Sequence, residues 1–223
     1  MLFSYIQQIV DDQNRKGMFI LTGSNNFLLL NTVTQTLVGR IALFKLLPFS
    51  LEEADGLYEK NDAVTHILSG GYPRLLTEKP ERNFFYQNYI ESYAERDVRQ
   101  LLNIKDTMLF RRFMQLCAGR IGGLIDMTSL ANDTGISVKT VQEWLSLLQT
   151  SFICFLLQPW YQNRNKRLVK TPKLYFYDTG VACALAGIRT EEQLNRDRLY
   201  GSLFENLVIL EQQKAAYNTG LLR

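Results

Sequence analysis

Apolar residues recur at helical spacing at the start of the chain, where Phe3, Ile6, Ile9 and Val10 share one face before the polar run Asp11 to Gly17. An amphipathic helix is expected there. Met18-Phe19-Ile20-Leu21 is a continuous apolar run bounded by Gly17 and Thr22-Gly23-Ser24, the pattern of a short strand buried on both faces of a parallel sheet. Thr22, Ser24, Asn25 and Asn26 would then lie at its carboxyl end, where open α/β sheets bind ligands; the alternative is that Asn25 or Asn26 caps a helix over Phe27 to Leu30. Gln35 to Gly39 reads as another short helix, and Ile41 to Leu47 as a second strand stopped by Pro48. Ser50-Leu51-Glu52-Glu53 has capping-box spacing and opens a helix expected to reach about Lys60. His66 follows in an apolar helical pattern with Val64, Ile67 and Leu68. Gly70-Gly71-Tyr72-Pro73 joins two permissive residues to a rigid one, and a domain boundary is expected there.

Downstream the pattern turns mainly helical. One long helix is expected over Glu81 to Leu102, its core face carrying Phe84, Phe85, Tyr89, Tyr93 and Val98, and another over Thr107 to Cys117, closed by Gly119, Gly122 and Gly123. Asp126 to Leu145 has helix-turn-helix spacing: Ala131 is small where two helices cross, Gly135 suits the turn, Ile136 fills the corner and Ser137 caps the second helix. The stripe Val141, Leu145, Leu148 would face inward. Strands Phe152 to Leu157 and Lys173 to Tyr177, flanking the loop Pro159 to Thr171, complete the order of a winged helix. Asp178-Thr179-Gly180 caps a helix over Val181 to Ala186, and a last helix runs from Asp197 to Tyr217. The expected fold class is α/β followed by mainly α, with domains at 1–70, 71–177 and 178–223.

Composition narrows the function classes. Hydrophobic residues make up 46% and charged residues 21% of the 223, ordinary globular values that exclude a disordered or collagen-like chain. The formal charge of +3 is too mild to imply a polyanion partner unless cations cluster. One cluster exists: Arg164, Lys166, Arg167, Lys170 and Lys173, with no acid among them and beside Trp160 and Tyr161. It reads either as a phosphate-neutralising wing or as a solvated loop. The outer face of the second helix of the helix-turn-helix offers Lys139, Thr140, Gln142, Glu143 and Ser146, one cation against one anion, which suits a protein partner at least as well as DNA. Cys117, Cys154 and Cys183 are odd in number and widely spaced, so they read as reduced core residues. His66 is the sole histidine, which excludes a His-rich zinc site and a Ser-His-Asp triad with a second His in reserve; a partly buried core imidazole is expected, with a single-His catalytic site as the alternative, and no metal site is expected. No apolar run is long enough to span a membrane, and the opening residues lack a secretory pattern, so a cytoplasmic location is expected.

Several strings in order carry a resemblance: Leu21-Thr22-Gly23-Ser24, Gly39-Arg40, Leu47 to Glu53, Gly70 to Pro73, Tyr89 to Arg99, and Pro172 to Gly180. Together they resemble the bacterial and archaeal AAA-type P-loop ATPases that carry the domain of unknown function 4143. The resemblance implies a partial P-loop NTPase sheet, then a winged helix, then the start of a restriction-endonuclease-like module. For the full-length protein it implies ATP and Mg²⁺ as cofactors. Thr22, Ser24, Asn25 and Arg40 become residual nucleotide-facing positions, and Glu205, within Gly201 to Asn206, matches the first acid of the nuclease-like module. The chain departs from the pattern in having no G-x-x-x-x-G-K-[ST] loop and no apolar strand ending in paired acids. It is therefore expected to be a piece truncated at both ends that needs no cofactor and shows no ATPase activity alone.

Overall fold

A computed structural model describes residues 2–13, 15, 17–22, 39–42, 44–93, 106–160 and 171–221. The chain divides into two compact units, Met1–Lys45 and Leu46–Leu222.

In the first unit the opening stripe forms helix α1 (Leu2–Gln13), which buries Ile6 against Val10, Leu21 and Ile41. The two expected strands are not found. Among the described residues neither 18–21 nor the described part of 41–47 joins a ladder. Ile20 is 90% exposed and Leu46, at the start of the second unit, 93%, so these runs are not buried on both faces. An apolar run becomes a strand only when a neighbouring backbone takes its N–H and C=O groups, and none does so for these among the described residues. The helix expected over Phe27 to Leu30 lies outside the described residues, as does all of the one expected over Gln35 to Gly39 except Gly39 itself, which sits in a turn.

In the second unit the described elements are α2 (Ala63–Ser69), α3 (Pro73–Glu78), α4 (Arg82–Ser92), α5 (Thr107–Ala118), α6 (Met127–Thr134), α7 (Val138–Thr150), β1 (Cys154–Leu157), β2 (Lys173–Phe176), α8 (Thr179–Ala186), α9 (Glu191–Arg196) and α10 (Tyr200–Asn218). The helix starts follow side-chain chemistry: Asp62, Asp106, Asp126, Ser137 and Asp178 each accept a backbone N–H from the first turn that follows. The capping box at Ser50 also forms, with the Glu53 N–H donating to Ser50 Oγ at 3.2 Å and the Ser50 N–H to Glu53 Oε2 at 2.9 Å. It opens turns, not a continuous helix to Lys60, because Gly56 adopts φ +75°. Helix α4 buries Tyr86 and Ile90, and of the expected core face Phe85 and Tyr89 pack against the core and Tyr93 is buried, while Phe84 is 64% exposed and Val98 lies outside the described residues. The expected continuation from residue 94 to Leu102 lies outside the described residues.

Helices α6 and α7 meet at a turn in which Gly135 has φ +85° and its N–H, with that of Ile136, donates to the Ala131 carbonyl. Trp144 packs edge-on to Phe110 and Phe113 at ring distances of 5.1 and 5.3 Å, joining α7 to α5 in the main core. Strands β1 and β2 are antiparallel, with Cys154 opposite Phe176 and Leu157 opposite Lys173. The other edge of β2 is also paired. Gly122 N–H donates to Leu174 O (2.8 Å), Leu174 N–H to Gly123 O (3.0 Å) and Ile125 N–H to Pro172 O (3.0 Å). The side-chain amide of Asn206, on α10 and fully buried, closes the end of β2 by accepting from Phe176 N–H and donating to Phe176 O. Gly70-Gly71, expected at a boundary, lies inside this unit.

Candidate functional site

Three of the motif strings meet at one place. Asp178 is 3% exposed, two residues after the end of β2 and at the start of α8. Its Oδ2 accepts from Gly71 N–H at 2.8 Å, and its Oδ1 from Val181 N–H at 2.9 Å and the Tyr86 hydroxyl at 3.0 Å. Burial is the larger influence and pushes the Asp178 carboxyl up, while these hydrogen bonds pull it back. Gly71 in turn accepts from Phe49 N–H at 2.8 Å. The Phe49 carbonyl accepts from Lys214 Nζ at 2.7 Å, which also donates to Glu211 Oε1 at 2.8 Å, and Glu211 Oε2 accepts from Leu51 N–H at 2.8 Å. Residues 49–53, Gly70-Gly71 and Asp178 are thus tied together by one turn of α10.

The geometry leaves no room for larger residues at the glycines. A Cβ on Gly70 would collide with the Asp178 carboxylate and the Tyr86 hydroxyl, and one on Gly71 would lie 2.5 Å from Phe49 O. His66 is 8% exposed and its ring sits 4.5 Å from that of Tyr58, whose hydroxyl donates to Gly70 O. Burial pushes the His66 pKa down and those of Tyr58 and Tyr86 up, so all three favour their neutral forms. The Asp178 oxygens are occupied by protein donors. Chemically the cluster positions backbone; it presents no activated nucleophile.

The residues singled out in the sequence are scattered. Thr22 is exposed, while Ser24 and Asn25 lie outside the described residues. Arg40 donates from Nε to Asp11 Oδ1 at 2.5 Å and from Nη2 to Oδ2 at 3.2 Å, so its guanidinium is engaged by a carboxylate. Lys139 is exposed, 4.0 Å from Glu143 on the same face of α7. Arg164, Lys166, Arg167 and Lys170 lie outside the described residues. Lys173, their neighbour, donates to Glu205 Oε1 at 2.8 Å, and Tyr175 donates to the same oxygen at 2.5 Å. Among the described residues no three His, Cys, Asp or Glu side chains are placed to hold a metal ion, and the three cysteines are free and buried. Of the nucleotide-facing candidates only Thr22, which is exposed, and Arg40, which pairs with Asp11, are described, so the described residues assemble no ATP–Mg²⁺ site. No described helix is long and apolar enough to cross a membrane.

Residues 60–192, more than half of the chain, match the family model described as a domain of unknown function, DUF8612. The chain belongs to the DUF8612 family. Its residues 1–54 match an AAA domain. The resemblance read from the sequence is therefore met at its AAA end, while the carboxyl-terminal family that matches is DUF8612. Uncharacterized proteins of Mycobacterium bovis and Mycobacterium tuberculosis are each 28% identical over 217 residues, covering 96% of this chain and 48% of the relative. An uncharacterized protein of Haemophilus influenzae is 25% identical over 216 residues, covering 89% of this chain and 52% of its own. The DUF8612 chain thus spans about half the length of the curated relatives it matches. No solved structure matches it.

The sequence reading foresaw Asp178 as a helix cap but missed Tyr86, Glu211 and Lys214 as its surroundings. The available signal was the motif strings themselves: Leu47 to Glu53, Gly70 to Pro73 and Pro172 to Gly180 are far apart in sequence and share this one cluster.

Proposed function

We propose that the chain is part of an AAA-family ATP-binding protein, in which the second unit responds to the nucleotide state of the AAA domain. The observation that carries this is where the AAA match ends. It runs past Lys45, through Leu46 to Ala54, into the unit that holds the DUF8612 match. Force or displacement in the AAA segment then reaches the second unit through a covalently continuous, hydrogen-bonded stretch. The phosphate-gripping loop and the paired acids that hydrolysis needs are not in this sequence. Mg²⁺-dependent ATP hydrolysis should be measured on this chain and on one of the twice-longer mycobacterial relatives. Turnover by the relative and none by this chain is expected; turnover by neither overturns the reading.

A second reading concerns what the second unit acts on. The order α5, residues 122–125, α6, turn, α7, β1, β2, with β2 paired on both edges, supports a winged helix. In this reading Arg164, Lys166, Arg167, Lys170 and Lys173 form a basic wing that meets DNA phosphates, with Lys139 on the adjoining helix. The near-neutral outer face of α7 supports a protein partner instead. Fluorescence anisotropy with duplex DNA separates them: nucleic-acid binding requires affinity that falls with salt at a log–log slope of roughly −0.9 per phosphate neutralised. Absence of binding at low salt removes DNA and leaves the protein partner. In the same reading the last helix, with Glu205, resembles the entry helix of a nuclease-like module.

A further inference from the structure

We propose that Glu211 and Lys214 form a latch that grips the end of the AAA-matching segment and relays its displacement to Asp178. This rests on the AAA reading of residues 1–54. The grip is on main chain at both points. Lys214 holds the Phe49 carbonyl and Glu211 the Leu51 amide, at 2.7 and 2.8 Å, from one turn of α10. Both bonds involve an ionised side chain, which makes them stronger than neutral ones and independent of which side chains residues 49 and 51 carry. Phe49 is held from two sides, since its N–H donates to Gly71 O while its C=O is taken by Lys214. Gly71 passes the restraint on through its own N–H to Asp178 Oδ2.

The latch has two natural states. Lys214 is 4% exposed, so without the Phe49 carbonyl its ammonium would be a buried cation short of acceptors. The long side chain must then swing to water, and the restraint on residues 49–51 goes with it. Such a discrete alternative is what a coupling element needs, as opposed to graded deformation of a packed core.

Hydrogen exchange on the full chain, without nucleotide, tests the relay separately from the ATPase reading. In Lys214→Met the amides of residues 49–54 should exchange roughly tenfold to a hundredfold faster, as expected for losing a charge-assisted hydrogen bond. The amides of Gly71 and Val181 should speed up with them, while α5 and α7 stay protected. Glu211→Gln, which keeps the shape and an acceptor, should show the same set of amides with a smaller change. Faster exchange confined to residues 49–54 in both variants overturns the relay, and unchanged exchange there overturns the latch. Should Lys214→Met fail to fold, Glu211→Gln alone decides between these outcomes. Failure of the mycobacterial relative to hydrolyse ATP would remove the proposed function and leave these exchange results standing.

Discussion

The Tyr86 hydroxyl reaches Asp178 Oδ1 at 3.0 Å and the Ser69 carbonyl at 2.7 Å, so one proton lies within reach of two acceptors, one buried and one half-buried, from distant parts of the chain. Tyr86→Phe leaves both without it, and the expected loss of stability is about 1–3 kcal/mol by urea unfolding. Gly180→Ala should cost more. A Cβ at that position meets the Tyr86 ring carbons as well as its hydroxyl, in a core that cannot move aside, so adding Tyr86→Phe should not rescue it. Rescue would show that the ring is free to shift.

Asp178 gives the fold an unusual pH response. Its carboxyl is pushed above the ordinary aspartate value of 3.8, burial being the first cause, so the folded chain keeps this proton to higher pH than the unfolded chain does. A group of this kind contributes stability that is complete below the unfolded pKa and is lost as pH rises through the folded one. Asp178→Asn cannot titrate. The stability gap between the native protein and Asp178→Asn should therefore be widest at the acid end and shrink as pH rises above about 4. Denaturant midpoints measured across pH check the sign, and a gap that widens upward contradicts it.

How far the sequence could be read depended on whether a feature is local. Ser137, Asp178 and Gly135 act within one turn of chain, and each occupies the role its chemistry suggests. The capping box at Thr190, with Gln193 three residues on, was equally local and went unread, and with it helix α9. Strands were a different matter. Residues 18–21 had the right composition but no ladder among the described residues, whereas Gly122 and Gly123, expected to close a helix, lie in a stretch that pairs with β2. The candidate site was the least legible part, because Asp178 reaches Gly71 and Lys214 reaches Phe49 through contacts spanning more than 100 residues, and even the Phe49–Gly71 bond crosses several turns and a helix, which no local pattern encodes.

The turn between α6 and α7 offers a clean test of backbone strain. Gly135 has φ +85° and nothing within 4 Å of the position a Cβ would take, so Gly135→Ala adds no clash. Its cost should be the left-handed backbone penalty alone, about 1–2 kcal/mol, with Gly135→Asn milder. Ser137→Ala removes the acceptor for Thr140 N–H, 3.0 Å away, and should cost about 1 kcal/mol. Thermal unfolding of the three variants gives the ranking; equal effects of Ala and Asn at residue 135 would point to a contact in place of strain.

Glu205 has the opposite pH signature to Asp178. Its carboxyl is held below the ordinary 4.5, first by the hydrogen bond from Lys173 and then by that from Tyr175, so its contribution is present above the unfolded value and lost as pH falls through the lowered one. Both members of the ion pair keep more than 40% of their side-chain surface exposed, and water and salt screen such a pair. A double-mutant cycle of Glu205→Gln with Lys173→Met should give a coupling below about 1 kcal/mol that declines with salt and disappears well below pH 4. The same Glu205→Gln variant should match the parent chain in Mg²⁺-dependent DNA cleavage, at background for both, since among the described residues no group of three His, Cys, Asp or Glu side chains is placed to hold a metal ion. Cleavage by the parent that Glu205→Gln abolishes would assign the carboxylate to catalysis and not to the Lys173 and Tyr175 contacts.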